Sequence, residues 1–243
     1  MSLAFFHAEG DQLIANDMAR SLWSHDQMHG VAIGGAVARA LEMTLNGIDR
    51  GDLRAARYNV DMFKAVSMTL PCEFRGRVVR EGPRIALIDA ELIQDGEPRC
   101  RATGLFLKPS ENPDGELWTP EHDLAPPPPE AADESDERKP PVFYSETEGW
   151  SSDFMQHQNG SRKIVWQTAL PVVEDEEVTP FQAACSAADT VTLATNWGAQ
   201  GVQHINTDVV LSLSRAPYGR ELGFAALTRS ETDGIASGSC VVY

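Results

Sequence analysis

Long hydrophobic runs are lacking: no stretch approaches the ~20 uninterrupted apolar residues that a membrane-spanning helix needs. The N-terminus also lacks the basic, apolar and small-residue pattern of a secretory signal. Cysteines are few and scattered, without a C-x-x-C pair or metal-ligand spacing: Cys72, Cys100, Cys185 and Cys240. We therefore expect a cytoplasmic protein without a membrane span or a metal, whose cysteines are small buried hydrophobic residues.

Basic residues are also scarce, with 20 Lys and Arg against 36 Asp and Glu, for a formal net charge of −16. Such a chain repels a phosphate backbone, and no basic stripe overrides that repulsion, so nucleic acid is not expected as a partner. Ten of the acidic residues lie between Glu111 and Glu137. The charge imbalance therefore belongs largely to one segment.

The common catalytic and cofactor signatures are absent. The chain has no P-loop, no dinucleotide-binding G-x-G-x-x-G, no H-E-x-x-H and no G-x-S-x-G. Gly30 and the pair Gly34-Gly35 have the wrong spacing for nucleotide binding, and close packing of a helix on a sheet explains them better. No cofactor is therefore expected.

One segment divides the chain. Residues 111–141 combine four consecutive prolines, Pro126 to Pro129, with an acidic stretch that offers little to bury. Polyproline is extended and stiff, which suits a spacer between packed units. We predict an N-terminal domain over 1–110, a linker over 111–141 and a C-terminal domain over 142–243.

In the first unit, residues 29–47 are apolar or small nearly all round, which predicts a buried helix. Asp95-Gly96 is a strong hairpin signal because both turn positions favour positive φ. Around it the pattern predicts strands over Arg57–Val66, Pro71–Arg80, Arg84–Gln94 and Glu97–Lys108. A helix followed by hairpin-connected strands indicates an antiparallel sheet around that helix.

The second unit repeats this order. Thr179-Pro180 is a good helix start and predicts a helix over Pro180–Trp197. The predicted strands are Lys163–Val172, Gln203–Arg215, Leu222–Arg229 and Gly234–Tyr243. By this comparison the second unit lacks a counterpart of the closing strand Glu97–Lys108, and an open edge invites pairing with another chain.

Asp189 is the most informative single residue, because it interrupts an otherwise uncharged helix. A carboxylate in the C-terminal half of that helix is unfavourable for the helix dipole and needs compensation by a hydrogen bond, solvent or a catalytic water. Exposure to solvent without any function is an equally good interpretation. Cys185 as a nucleophile is disfavoured, since the helix pattern indicates neither exposure nor a base.

Three further positions could assist Asp189. His29 and Gly30 lie at a predicted helix N-terminus, where backbone N–H groups can hold an oxyanion, although a hydrogen-bonded structural histidine is as good an explanation. A metal site at His25 and His29 is disfavoured. Asn206 or Thr207 at the start of the next strand could hold a water, although strand alternation groups Asn206 with Asp208 on one face.

The sequence resembles the thioesterase-like, double-hotdog proteins related to bacterial acyl-CoA thioesterase II. The segments that carry the resemblance are HGVAIGGAVARALE, YNVDMFKAV, VVREGPRIALIDAELIQDGEPRCRATGLFL, AADTVTLA, and INTDVVLSLSRAP with DGIASGSCVVY. The implied fold is α+β, a tandem hotdog in which each curved antiparallel sheet wraps around a central helix. The resemblance implies hydrolysis of an acyl-CoA by a water held by a carboxylate, a hydroxyl and an amide, without a covalent intermediate.

Residue by residue, Asp189 matches the family's carboxylate. The hydroxyl position falls at Asn206, with Thr207 one residue away, and the glutamine position lies on the closing strand that this sequence lacks. The first hypothesis is therefore an acyl-CoA thioesterase. The second is a non-catalytic acyl-CoA or fatty-acyl binding or assembly protein, and a hotdog dehydratase using His29 ranks last. Exposed sheet edges leave room for a homo-oligomer.

Overall fold

The first half of the chain wraps a sheet around one helix. In the computed structural model, which describes residues 3–132 and 135–243, a short hairpin precedes the helix and four strands follow it. The elements are β1 (Phe6–Glu9), β2 (Gln12–Ala15), α1 (Gly30–Asn46), β3 (Arg54–Met62), β4 (Glu73–Gly82), β5 (Ile85–Gln94) and β6 (Glu97–Leu107). The helix that the apolar pattern predicts is confirmed, and ten of its residues are buried.

Hairpins connect the strands of the first unit. Asp95 and Gly96 join β5 to β6 with φ angles of 52° and 72°, as the Asp-Gly turn signal predicts. Along β5 every second side chain faces α1 and is buried: Ala86, Ile88, Ala90 and Leu92. The alternation fixes the register, because a slip of one residue would turn these side chains to solvent.

The second half repeats the arrangement with differences. Its elements are β7 (Val142–Ser145), β8 (Gly149–Ser151), β9 (Lys163–Thr168), α2 (Pro180–Ala187), α3 (Val191–Asn196), β10 (Trp197–Gly198), β11 (Gly201–Val202), β12 (Asp208–Ser212), β13 (Glu221–Thr232) and β14 (Ile235–Val242). The predicted single helix is one helical path interrupted by a 3-10 turn at Ala188–Thr190. Its N-cap is Thr179, as predicted.

The two units share a sheet. β12 belongs to the second unit by sequence, yet it pairs antiparallel with β3, which gives the strand order β12-β3-β6-β5-β4. The other large sheet has the order β14-β13-β9-β7-β8. β12 is shorter than the predicted strand Gln203–Arg215. Residues 203–207, which lead into it, form no strand pairing with the described residues. The backbone pairing of β12 with β3 therefore joins the two halves.

The helices of the two units cross in close contact. A Cβ on Gly34 would lie 2.7 Å from the carbonyl oxygen of Cys185, and one on Gly35 would lie 2.9 Å from the Val172 side chain and 3.3 Å from that of Ser186. The Ser186 hydroxyl donates to the Val31 carbonyl oxygen at 2.8 Å. The prediction that Gly34 serves helix-to-sheet packing is thus corrected: its nearest contact is the backbone of α2, and small residues on both helices permit the approach.

Residues between the two units are mostly exposed. Apart from a 3-10 turn at Pro129–Ala131, no helix or strand lies within 108–132 and 135–141. The division into 1–110, 111–141 and 142–243 stays a prediction. No helix in the described part of the chain is long and apolar enough to cross a bilayer.

The helix crossing can be tested with Gly34→Ala. The added methyl group would meet the Cys185 carbonyl, so we expect the free energy of unfolding to fall by about 1–3 kcal/mol in urea denaturation. Gly51→Ala is the control, because a Cβ there meets nothing within 4 Å. Equal stability of the two variants would contradict the close crossing.

Candidate active site

Asp189 lies in the 3-10 turn between α2 and α3, and its side chain faces α1. The residue is half-buried. A Cβ on Gly30 would lie 2.1 Å from Asp189 Oδ1, so the carboxylate occupies space that only a glycine leaves free. The carboxylate is therefore packed against the first residue of α1.

The N-terminus of α1 compensates for the unfavourable location of the Asp189 carboxylate within its own helix. The first N–H groups of a helix lack intrahelical partners and carry a partial positive charge, which favours a nearby anion. The C-terminal half of its own helix would have been unfavourable for Asp189. The N-terminus of the other unit's helix offsets that effect.

Asn206 holds the carboxylate from the other side. Its Nδ2 donates to Asp189 Oδ1 at 2.7 Å and lies 3.4 Å from the Asp189 carbonyl oxygen. The alternation that groups Asn206 with exposed Asp208 does not apply, because β12 begins only at Asp208 and Asn206 lies in the irregular segment before it. The structure thus brings Asp189, Asn206 and Gly30 together.

The surroundings shift the acidity of Asp189. Burial raises the pKa of its carboxyl above the ordinary value for an aspartate, and the Asn206 hydrogen bond and nearby His29 act in the opposite direction. A carboxylate with a raised pKa is a stronger base than an exposed one. Such perturbed groups are concentrated at functional sites.

His29 is fully engaged as the N-cap of α1. Its Nδ1 accepts from the Ala32 N–H at 3.1 Å, so Nε2 carries the proton and donates to the Met18 carbonyl oxygen at 2.9 Å. Burial lowers the pKa of this histidine. With both ring nitrogens occupied, the imidazole has neither a free N–H for an oxyanion nor a free lone pair for a metal or for dehydratase chemistry in this arrangement.

Thr207 points elsewhere. Thr207 is exposed, and its hydroxyl donates to Asp208 Oδ1 at 3.1 Å. The structure therefore places Asn206, and not Thr207, beside Asp189. Cys185 is buried, and burial raises the pKa of its thiol far above the usual range, which disfavours a nucleophilic thiolate.

Sequence reasoning missed a second carboxylate that faces a helix N-terminus. Glu42 on α1 accepts from the Thr179 hydroxyl at 2.8 Å and from Gln182 Nε2 at 2.8 Å, both at the start of α2. Burial raises the pKa of Glu42, and these two hydrogen bonds oppose the shift. The signal that identified Asp189, a carboxylate in a nearly uncharged helix, was also present at Glu42.

Each unit therefore places one carboxylate against the N-terminus of the other unit's helix. Asp189 lies against the start of α1, and Glu42 lies against the start of α2. Near Glu42, Arg39 makes a two-point contact with Glu176, with N–O distances of 2.6 and 2.7 Å. Because Glu42 accepts hydrogen bonds from both a hydroxyl and an amide, we interpret it as a structural residue that links α1 to the start of α2.

Two other features do not contribute to this site. A cleft of about 560 Å³ lies beyond the C-terminal end of α3, bordered by Trp197, His204 and Arg229, and Asp189 is not among its lining residues. Within residues 3–132 and 135–243, no group of three His, Cys, Asp or Glu is arranged to hold a metal ion.

Comparison with known proteins shows which domain the first unit is similar to. Residues 19–107 match the family model described as the acyl-CoA thioesterase N-terminal domain. The first unit of the chain is therefore similar to an acyl-CoA thioesterase domain. No curated protein matches this double hotdog in sequence.

Solved structures confirm the fold over the whole chain. A tesB protein of Mycobacterium avium subsp. paratuberculosis is 12% identical, with a TM-score of 0.64, over 99% of this chain and 93% of that one. Acyl-CoA thioesterase II TesB2 of Mycobacterium marinum is 15% identical, with a TM-score of 0.59 and the same coverage. A hot dog protein of unknown function from Alicyclobacillus acidocaldarius is 15% identical, with a TM-score of 0.56, over 100% of this chain and 96% of that one. The α+β double hotdog predicted from sequence is thus confirmed.

The contact between Gly30 and Asp189 can be tested by a double-mutant cycle. Gly30→Ala should destabilise the protein by about 1–3 kcal/mol, because the methyl group would overlap the carboxylate. In an Asp189→Ala background the same change should cost much less, since the overlapping group is gone. Urea denaturation of the four proteins measures the coupling. Additive effects would show that the two residues are not in contact.

Proposed function

We propose that this double-hotdog protein is an acyl-CoA thioesterase in which Asp189 orients and deprotonates the attacking water. The observation that carries the proposal is the half-buried Asp189 carboxylate, with its raised pKa, held by Asn206 against the open N-terminus of α1. General-base catalysis of this kind contributes about 10²–10⁴-fold to the rate.

The reaction proceeds in two steps. Asp189 takes a proton from a water molecule as the water oxygen attacks the thioester carbonyl carbon. The tetrahedral intermediate then collapses with cleavage of the carbon–sulfur bond, and Asp189 returns the proton to the CoA thiolate. The products are a carboxylic acid and CoA, and no covalent bond to the protein forms.

The N-terminus of α1 is our candidate for the oxyanion site. His29 Nδ1 accepts from the Ala32 N–H, so the earlier N–H groups of Gly30 and Val31 remain as donors for the developing negative charge. Preorganised donors at such a site are worth about 3–4 kcal/mol each in acyl transfer. We assign Gly30 this role through its backbone, and His29 a supporting role as the cap that fixes the helix start.

Asn206 is the proposed positioning group for Asp189. Its amide holds one carboxylate oxygen, which leaves the other oxygen for the water. Thr207 is left out of the proposal because its hydroxyl is bonded to Asp208.

A second candidate function is binding of an acyl-CoA without turnover. It is favoured by the direct Asn206 contact at the position where the family has a hydroxyl, since this leaves the water with fewer partners. Calorimetric titration with an acyl-CoA, combined with a thiol-release assay, separates the two functions. Binding without thiol release would replace the enzyme proposal by this one.

Neutralising Asp189 should separate activity from stability. Asp189→Asn removes the base but keeps the shape, so thiol release should fall at least 100-fold. Because burial raises the folded-state pKa of Asp189, the ionised carboxylate is a cost to folding at neutral pH, and the urea midpoint should stay equal or rise.

The matched control is Glu42→Gln, which neutralises the other inter-helix carboxylate. Burial raises the pKa of Glu42 as well, and a glutamine keeps an acceptor oxygen for Gln182, so this variant should also keep or raise the urea midpoint while thiol release stays near that of the wild type. Undiminished thiol release by Asp189→Asn, or selective loss of activity with Glu42→Gln, would contradict the assignment of the base.

The pH profile should report the Asn206 contact. The Asn206 N–H stabilises the carboxylate and lowers the pKa of Asp189, so Asn206→Ala should raise that pKa and move the acid limb of kcat/KM to higher pH. Thr207→Ala should leave the limb in place, because that hydroxyl contacts Asp208. An unmoved limb in Asn206→Ala would show that Asn206 does not act through Asp189.

A further inference from the structure

The cleft beyond α3 has the size of a ligand site. Its volume is about 560 Å³, and small-molecule sites typically have ~300–1,000 Å³. Four pieces of chain form its walls: the last turn of α3, the hairpin of β10 and β11, residues 160–162 before β9, and part of β13 between residues 226 and 231. The cleft is therefore large enough for a ligand the size of a nucleotide.

Hydrogen-bond donors are frequent in the walls of this cleft. The indole N–H of Trp197 is buried and has no acceptor among the described residues. A buried donor without an acceptor costs free energy, which a ligand oxygen would recover. The other lining side chains that carry N–H donors are those of Arg162, Asn196, Gln200, Gln203, His204 and Arg229. A ligand rich in acceptor oxygens suits these walls.

Charge distinguishes one side of the cleft. The Arg162 Nε donates to the Ala226 carbonyl oxygen, which holds the guanidinium at the wall, and no carboxylate of the described residues forms an ion pair with it. On the other side Arg229 pairs with Glu231, which also lies 3.5 Å from His204 Nε2. The terminal nitrogens of an arginine form a planar fork that matches a phosphate. Arg162 is therefore the group that favours an anion.

The wall beside Arg162 also offers backbone groups. β9 begins at Lys163 and pairs with β13 only as far as Ala225. Beyond Ala225, this edge of β13 has no strand partner within the part of the chain that the structure describes. A strand edge presents both N–H donors and carbonyl acceptors. Carbonyl acceptors suit ribose hydroxyls and the amino group of a base, which a simple inorganic anion lacks.

The cleft lies beside the Asp189 site. Gln203 and His204 line the cleft, and Asn206, two residues later, donates to the Asp189 carboxylate at 2.7 Å. Two residues of extended chain span at most ~7 Å. A ligand in the cleft would thus lie near Asp189 without contacting it, since Asp189 is not among the lining residues.

We propose that this cleft binds a phosphorylated nucleoside, with a phosphate on Arg162 and the sugar and base along the edge of β13. This chemistry is present both in a free nucleotide and in the nucleotide end of CoA. The binding itself is independent of the proposed hydrolysis, and only CoA as the source of the nucleotide rests on the proposed function.

Calorimetric titration of the full-length protein with ADP tests the site. ADP should bind saturably, and adenosine and inorganic phosphate should each bind at least ~10-fold more weakly, because each makes only part of the contacts. Arg162→Ala should weaken ADP binding at least ~10-fold. Because Arg162 is exposed, this variant should keep the urea midpoint of the wild type.

The matched control is Arg80→Ala, which removes an exposed arginine of β4 in the first unit and should leave ADP binding unchanged. The proposal is overturned if ADP does not bind saturably at millimolar concentration, or if adenosine binds as tightly as ADP. Equal loss of ADP binding in both arginine variants would also overturn it, because the effect would then reflect overall charge.

A further titration distinguishes the two sources of the nucleotide. ADP is titrated into wild-type protein that is saturated with CoA. A nucleotide end of CoA in the cleft predicts that ADP binding is lost, whereas a separate site for free nucleotide predicts unchanged ADP affinity. Neither titration requires turnover, so a failure of the proposed hydrolysis would leave both results interpretable.

Discussion

The contact between α1 and α2 is the constraint on which the other features depend. Gly34 and Gly35 on one helix meet Cys185 and Ser186 on the other, and larger side chains would hold the helices apart. At this separation each helix N-terminus reaches a carboxylate of the other helix. Without the close crossing, Asp189 would be a buried charge in an unfavourable half of its own helix. The polar network therefore follows from the packing of small residues.

The two inter-helix carboxylates, Asp189 and Glu42, differ in how many hydrogen bonds they accept. Glu42 accepts hydrogen bonds from a hydroxyl and an amide, and it contributes to holding the helices together. Asp189 has one amide partner and remains half-buried with a raised pKa. An incompletely satisfied carboxylate costs stability, but it keeps an oxygen free for a water molecule. The same arrangement thus serves structure at Glu42 and, in the proposed function, chemistry at Asp189.

Sequence patterns predicted features that depend on local physics. The Asp95-Gly96 turn and the helix start at Thr179 follow from backbone preferences of neighbouring residues. Asp189 was identified as a candidate because a single charge in an otherwise uncharged helix can be recognised from the neighbouring residues alone. The partner of Glu42, 137 residues away at Thr179, and the inward turn of Asn206 depend on tertiary contacts that no local pattern encodes. The pairing of β12 with β3 was missed for the same reason.

The central claim is that Asp189 activates water without forming a bond to the acyl group. Single-turnover hydrolysis of an acyl-CoA in ¹⁸O-labelled water, with excess protein, tests it most directly. The account predicts one ¹⁸O atom in the carboxylic acid product from the first turnover and none in the Asp189 side chain. Unlabelled acid from the first turnover, with ¹⁸O recovered in the peptide that contains Asp189, would show a covalent anhydride and contradict the account.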